Sequence, residues 1–327
     1  MRNVICSAMA RIAPMAFTIL GTVSLAPSAA LAGTTYASVT GNNSNACTLA
    51  SAPCATISEA LAKATPAGVF GRVVLLGPGI FSEAVAVASA GGAEIVGDGS
   101  GFVAIAPPAG GIGVHIAVGT SSVRISNLQF LGSSNSAIIG IKVVTASKVD
   151  IENVEFHGFA TAAIDSEVST APYPEMTVSN SVIADGGCLL VHPQGSANLS
   201  LLVENTRIRN CTNTSVMADS SATGSAGSAT IIMRGSSVEN AQTGFEANST
   251  AKSGAAMGTI EHSIVENVYN GVVATGAQSY VFLNDASVIN NHNGITSTGA
   301  NVVSYGNNNV NWNATNIVGT LNHNPLQ

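Results

Sequence analysis

The chain has 327 residues, of which only 9% are Asp, Glu, Lys or Arg, and its formal net charge at pH 7 is −7. Binding to nucleic-acid phosphates needs a basic face, which this balance does not supply, so we expect no nucleic-acid partner. Small polar residues are abundant, but the apolar residues between them recur with a short, regular period, which argues against an intrinsically disordered chain.

The first segment has the pattern of a secretory signal peptide. Arg2 and Arg11 stand before an apolar run over residues 12–25, and Ala30, Leu31 and Ala32 supply the small residues that a signal peptidase accepts. The alternative, a membrane anchor, needs about 18 or more uninterrupted apolar residues, and the run is shorter. We therefore expect residues 1–32 to be removed and the mature protein to be secreted, periplasmic or at the cell surface, without membrane insertion.

The cysteines of the mature chain form two candidate pairs. Cys47 and Cys54 lie in a stretch rich in Gly, Asn, Ser and Pro, which predicts a local disulfide in an exported protein. Metal binding is the weaker alternative for this pair, because no His or second Cys pair lies nearby. Cys188 and Cys211 fall in successive repeats, and their pairing stays open because a disulfide tolerates Cα separations only up to about 7 Å.

A helix is predicted over residues 57–64, within an N-terminal loop and capping segment that spans residues 33–70. Thr56 and Glu59 have the spacing of a capping box, and the residues that follow place an apolar stripe on one helical face. We expect this helix to cover the open end of the structure that follows, because such an end exposes unpaired backbone groups and apolar side chains.

A phrase recurs down the chain, from the copy that ends at Phe130 to the copy that ends at Val288. It consists of an apolar strand, a turn residue that is usually Asn, a second short strand, then a small residue, most often Gly, and an apolar residue. The turn position recurs every 23 to 30 residues and is held by Asn127, Asn153, Asn180, Asn205, Gly235, His262 and Asp285. A repeat of this length with several period-two strands and no helix is one coil of a parallel β-helix. We therefore predict an all-β, single-stranded parallel β-helix over residues 71–327, of about nine or ten coils. A last coil and a cap are expected around residues 305–312.

Equivalent residues of neighbouring coils are expected to lie about 4.8 Å apart, so each repeated position forms a column along the solenoid. We interpret one column as a structural ladder of buried side chains that bond one another and the turn backbone: Asn127, Asn153, Asn180 and Asn205. A second column, five residues later, holds Asp185, Asn210, Asn240, Asn267 and Asn290. Both are interpreted as structural rather than as ligand sites.

Four parts of the sequence carry a family resemblance: TYASVTGNNSNACTLASAPCATISEALAKA, VVLLGPGIF, the Asn-bearing coils and SYGNNNVN. Together they resemble the secreted right-handed parallel β-helix proteins of the pectin lyase-like superfamily over nearly the whole mature chain. The resemblance implies a right-handed path, three parallel sheets per coil and stacked Asn side chains in one turn. That superfamily includes polysaccharide lyases, hydrolases and adhesins, so the resemblance predicts the fold and leaves the function open. The Asp-Asp, Gly-His-Gly and Arg-x-Lys signatures of polygalacturonases are absent from the sequence.

One predicted face gathers many of the titratable side chains. In each repeat a strand begins at the small residue, such as Gly113, Gly140 or Ala163. The first residue after this small residue points inward, and the second and fourth residues after it point outward. The outward columns collect His115, Lys142, Asp165, Glu167, His192 and Asp219.

The candidate catalytic residues are Glu167, His192 and Asp219. Glu167 and Asp219 lie two coils apart, about 9 to 10 Å between Cα atoms, which leaves room for a sugar and a water between an acid and a base. His192 lies between them and would share the proton. In a lyase, Asp165, Glu167 and Asp219 would bind Ca²⁺ through oxygen ligands, and no other cofactor is expected.

The candidate substrate-binding residues are His115, Lys142, Asp165 and Tyr173. The first three lie in one outward column. Tyr173 belongs to a Pro-flanked loop that follows the Asp165 strand and would offer a ring face to a sugar.

The alternative is that these charges are ordinary cross-coil pairs on a solvated face, Lys142 with Asp165 and His192 with Glu167, each worth less than about 1 kcal/mol. We therefore expect a monomeric, exported β-helix protein that binds polysaccharide or is structural at the cell surface. The competing hypothesis is a polysaccharide lyase or glycoside hydrolase that acts in a groove over the first parallel sheet.

Overall fold

The computed structural model describes residues 33–66, 68–132, 136–169, 174–222, 226–249 and 254–324. The predicted signal peptide and Tyr173 lie outside the described residues. Within the described part of the chain the protein is a right-handed parallel solenoid of about nine turns with a single short helix, which confirms the predicted fold. No helix in the described part is long and apolar enough to cross a membrane.

Each coil contributes to three parallel ladders of strands, which we name sheets A, B and C. Sheet A contains Gly33–Ala37, Gly71–Leu75, Ala93–Gly97, the first halves of Ser122–Leu131 and Lys148–His157, Glu175–Ser179, Leu199–Glu204, Ala229–Arg234, Ala256–Glu261, Ser279–Asn284, Asn301–Ser304 and Leu321–His323.

Sheet B contains Gly79–Phe81, Val103–Ile105, the second halves of Ser122–Leu131 and Lys148–His157, Val182–Gly186, the first parts of Arg207–Asp219 and Ser237–Asn248, Ile264–Glu266, Ser287–Ile289 and Asn309–Asn311. Sheet C contains Val85–Val87, Ile112–Ala117, Ile139–Thr145, Ala162–Ser166, Leu189–Val191, the last parts of Arg207–Asp219 and Ser237–Asn248, Asn270–Thr275, Asn293–Thr298 and Thr315–Val318.

The interior is built by period-two alternation along each strand. In Ala229–Arg234, the side chains of Ala229, Ile231 and Met233 are buried and the residues between them are not. Identical positions then stack from coil to coil, as in the parallel rings of Phe130 and Phe156, whose centroids lie 4.9 Å apart. Each fully buried side chain of this size contributes about 1.5 to 3 kcal/mol, so the column of apolar residues stabilises the solenoid as a whole.

The repeated turn position adopts the left-handed backbone conformation, with φ between 48° and 58° at Asn127, Asn153, Asn180 and Asn205. Asn populates this region more readily than most residues, which explains its repetition. The second column has the same conformation, with φ of 64° at Asp185 and 54° at Asn210. The side chains of the first column are exposed rather than buried as expected, although the amide of Asn153 does donate to Asn127 Oδ1 over 2.8 Å.

A buried ladder does exist, one position later, and it is made of hydroxyl groups. The Oγ atoms of Ser181, Ser236 and Ser263 each accept a hydrogen bond from a backbone N–H of the preceding coil, over 3.1 Å in each case. Each of these hydroxyls also donates to the carbonyl two residues earlier in its own coil. The turn is thus satisfied internally, which a buried backbone requires.

The helix Ile57–Ala64 begins at Thr56, whose Oγ1 accepts a hydrogen bond from Glu59 N over 3.3 Å, as the capping box predicts. Its first two N–H groups, at Ile57 and Ser58, donate to the carboxylate of Glu83, which completes the cap from a distant part of the chain. The apolar face of the helix lies in the core, where it packs against the first coils.

Both cysteine pairs form disulfides. Cys47 and Cys54 are bonded as predicted, and Cys188 and Cys211, which the sequence left open, are bonded across successive coils with Cα atoms 5.9 Å apart. At the other end, the strands Asn309–Asn311, Thr315–Val318 and Leu321–His323 form the last described coil, and Trp312 occupies its left-handed turn. The C-terminal cap stays a prediction.

Candidate functional site

The predicted outward column of sheet C is correctly aligned. Backbone pairing places His115 beside Lys142, Lys142 beside Asp165, Asp165 beside Leu190 and Leu190 beside Met217. The residue before each of them is buried in the core, so these side chains leave the opposite face of the sheet.

Asp165 and His192 form an ion pair in which His192 Nε2 lies 2.6 Å from Asp165 Oδ1. The side chain of Asp165 is only 6% exposed and that of His192 is 22% exposed. Asp165 was expected to be a solvated surface carboxylate, but it is flanked in its column by Lys142 and Leu190 and bonded by the ring of the next coil. The result is a buried charge with a close partner.

The second pair joins Lys142 Nζ to Glu167 Oε2 over 2.5 Å, and both side chains are partly buried. The sequence predicted the pairs Lys142 with Asp165 and His192 with Glu167, and the structure exchanges the partners. We name these four residues the sheet C cluster. It holds two cations and two anions when His192 is protonated, so its groups neutralise one another.

The charges around His192 favour its protonated form. Burial lowers the pKa of His192, but the hydrogen bond to Asp165 and the attraction of the Asp165, Glu167 and Asp219 carboxylates outweigh burial, so the pKa lies above its ordinary value of 6.5. In that form Nε2–H donates to Asp165. On the other side of the ring, His192 Nδ1 lies 3.4 Å from the amide nitrogen of Gln194. Whether Nδ1 carries a proton decides whether the amide of Gln194 turns its oxygen or its nitrogen toward the ring.

The predicted calcium set is not brought together within the part of the chain that the structure describes. The ligand atoms that lie within 4.8 Å of one another belong to Asp165, Glu167 and His192. Asp219 is not among them, and its Oδ1 accepts a hydrogen bond from Ser221 N over 2.9 Å. Ca²⁺ prefers six to eight oxygen ligands, and the two carboxylates here are already bonded to cationic side chains. The donor set therefore does not fit Ca²⁺.

Next to the sheet C cluster lies a small pocket that the sequence analysis did not single out. It has a volume of about 160 Å³, and it is lined by Leu190 and Met217, which continue the Asp165 column, and by the disulfide-bonded Cys188. Two apolar side chains at outward positions, Leu190 and Met217, were the sequence signal for it. His115 extends the same column at its other end, one coil before Lys142.

Comparisons with solved structures return matches at low sequence identity. The A-module of the Azotobacter vinelandii mannuronan C-5 epimerase AlgE6 aligns with 14% identity over 83% of this chain and 95% of its own length, with a TM-score of 0.49. The A-module of AlgE4 from the same organism aligns with 15% identity over 79% of this chain and 91% of its own length, with a TM-score of 0.47. The Dettilon tailspike protein gp208 aligns with 11% identity over 82% of this chain and 63% of its own length, with a TM-score of 0.40.

No curated protein sequence matches the chain. The family model for the right-handed β-helix region, in contrast, matches residues 112–287, which is more than half of the chain. The matched residues contain the repeated turns and the whole sheet C cluster. The chain therefore belongs to the right-handed β-helix family.

Proposed function

We propose that the protein binds polysaccharide on the outward face of sheet C without chemical conversion. The observation that carries this proposal is the sheet C cluster beside the Leu190 and Met217 pocket. Fixed charged groups bond sugar hydroxyls, and apolar side chains contact the C–H faces of a sugar ring. Because the groups follow one another along the solenoid, an extended polymer would meet them coil after coil.

The pairing within the cluster explains why we favour binding. A general base must be able to take a proton, but Glu167 is bonded to Lys142 and Asp165 to His192. The surrounding carboxylates raise the pKa of His192, which favours its protonated form. The cluster is thus suited to hold hydrogen-bond donors and acceptors in place.

A second candidate is a polysaccharide lyase or glycoside hydrolase that uses Glu167, His192 and Asp219. The observation that favours it is the partly buried His192 with a raised pKa, oriented by Asp165 over 2.6 Å, which is the arrangement of a general acid. In this candidate Lys142 and His115 would place the substrate. Ca²⁺ would take part only through a ligand set different from the predicted one.

The two disulfides indicate an oxidising compartment, extracellular or periplasmic, where such polymers occur. Export through the predicted leader at residues 1–32 and a monomeric state are parts of the proposal. Tyr173 is proposed as an additional contact for sugar.

Affinity electrophoresis in gels that contain a panel of polysaccharides tests this proposal. For at least one polysaccharide of the panel, retardation of the wild-type protein should be lost in the variants Lys142→Gln and His192→Gln. The matched control is Arg124→Gln, which removes an exposed pair with Glu152 on sheet A and should leave retardation unchanged. Equal retardation of all variants would exclude the cluster as the binding site. If the wild-type protein releases reducing ends or unsaturated products, and Glu167→Gln and Asp219→Asn do not, the enzymatic candidate replaces the binding proposal.

A further inference from the structure

The coil that begins with the strand Ala93–Gly97 has a longer corner between sheets A and B than the coils that follow it. Seven residues, 97–103, separate Val96 from Ala104, whereas only Asn127 and Leu128 separate their partners Ser126 and Gln129 in the next coil. The later coils keep the shorter turn at this corner, through Asn153 and its successors. In solenoid proteins, insertions into single repeats form loops on one face, which is often the binding face.

The inserted loop is ordered by Asp98. Its carboxylate accepts hydrogen bonds from Ser100 N over 3.1 Å, from Ser100 Oγ over 2.6 Å and from Gly77 N over 3.3 Å. The loop is thus fixed both within itself and to the preceding coil. A site built on it needs little ordering when a ligand binds.

The loop places the ring of Phe102 at the surface, where the residue is 44% exposed, and it forms one wall of a cleft of about 350 Å³. The opposite wall carries two bonded pairs of polar side chains. The amide of Gln129 donates to Glu155 Oε2 over 2.8 Å, and the amide of Asn153 donates to Asn127 Oδ1 over 2.8 Å. A carboxylate and three amides have more donor and acceptor positions than these two bonds use.

We infer that this cleft is a second saccharide-binding site, separate from the sheet C cluster, and that its ligand is an uncharged sugar polymer. The Phe102 ring provides the apolar surface on which the C–H face of a sugar packs, and Gln129, Glu155 and the two Asn side chains provide partners for its hydroxyls. All lining residues belong to the described part of the chain, and none of them is Lys or Arg. Glu155 would repel a polyanion, so polyuronates are excluded as ligands of this cleft.

Affinity electrophoresis tests this inference with hydroxyethyl cellulose, galactomannan and starch as uncharged probes and polygalacturonate as the anionic probe. The variants are Phe102→Ala and Gln129→Ala, made in the Lys142→Gln/His192→Gln background so that binding at sheet C does not contribute. We expect at least one uncharged polymer to retard the background protein. Phe102→Ala should weaken this binding by about tenfold, because the stacking surface is removed.

The control is Ile264→Ala, which removes an apolar side chain of similar exposure from the start of a sheet B strand several coils away. It should leave retardation unchanged, and circular dichroism melts should show that all variants fold. The inference is overturned if no uncharged polymer retards the background protein, if Phe102→Ala is retarded as strongly as the background protein, or if polygalacturonate alone binds. Because sheet C is disabled throughout, these outcomes are independent of the function proposed for it.

Discussion

His192 and Asp165, on successive coils of sheet C, form an ion pair with Nε2 and Oδ1 only 2.6 Å apart. The carboxylate is almost completely shielded from solvent, unlike the exposed pair of Arg124 with Glu152 on sheet A. Removing one partner of a buried pair leaves an uncompensated charge, whereas exposed pairs contribute at most about 1 kcal/mol. The His192–Asp165 pair should therefore dominate the response of this face to pH and mutation.

The first prediction is that the contribution of His192 to stability falls as pH rises. The groups that face the ring are the carboxylates of Asp165, Glu167 and Asp219, and Lys142 is held by Glu167. Because the pKa in the folded state is raised, the stabilisation is complete below the unfolded pKa of about 6.5 and is lost as pH rises through the folded pKa. Urea unfolding of the wild type and of His192→Gln at pH 5.5 and pH 8.5 measures the difference.

We expect His192→Gln to reduce the free energy of unfolding more at pH 5.5 than at pH 8.5. The titration of the His192 ring followed by NMR should also move to lower pH in Asp165→Asn. The exposed His262, at the turn between sheets A and B, serves as the control: His262→Gln removes an exposed pair with Asp285, which should contribute less than about 1 kcal/mol to the free energy of unfolding at either pH. A reduction that is equal at the two pH values would contradict the assigned ion pair.

The second prediction concerns the disulfide between Cys188 and Cys211, which closes a 23-residue segment and ties two coils together. Its removal in Cys188→Ala/Cys211→Ala should lower the free energy of unfolding by about 2 to 4 kcal/mol, because the unfolded chain gains loop entropy. Removing Cys47–Cys54, which closes only seven residues, should have a smaller effect. Urea unfolding of the two double variants under oxidising conditions measures both, and the reverse order would count against this account.

The positions of the coils could be predicted from the sequence because the turn restricts its own residue type. A left-handed φ, such as the 54° of Asn153 and the 50° of Asn180, favours Asn, so an Asn identifies the turn in most repeats. Once the turns are aligned, the period of two fixes which side chains of each strand face outward. This is why the column from His115 to Met217 was placed correctly.

The pairings within the site could not be predicted, because alternation gives the column and the coil of a side chain but not the direction in which it leans. Lys142 reaches diagonally to Glu167, and His192 reaches diagonally to Asp165. The carboxylate of Glu83 at the helix start was also missed, since a contact with Ile57, 26 residues away, has no local signature in the sequence.

The third prediction concerns the buried hydroxyl ladder, which the sequence analysis did not recognise although Ser or Thr follows the turn in four successive repeats. Ser236 Oγ accepts from Thr206 N and donates to Arg234 O, and the residue is 3% exposed. Ser236→Ala leaves the Thr206 N–H buried without its acceptor, so the free energy of unfolding should fall by about 1 to 3 kcal/mol. The neighbouring Ser237→Ala, at a half-buried position, should change it by less than about 0.5 kcal/mol.

Hydrogen exchange distinguishes the ladder from a general packing effect in Ser236→Ala. The Thr206 N–H belongs to the preceding coil, so its protection should fall more than that of the flanking strand amides, if the hydroxyl is its acceptor. Uniform loss of protection along both coils would show instead that the substitution acts through packing. The hydroxyls of Ser181 and Ser263 also accept a hydrogen bond from a backbone N–H of the preceding coil. The same local loss of protection is therefore expected at Val154 N in Ser181→Ala and at Ser236 N in Ser263→Ala.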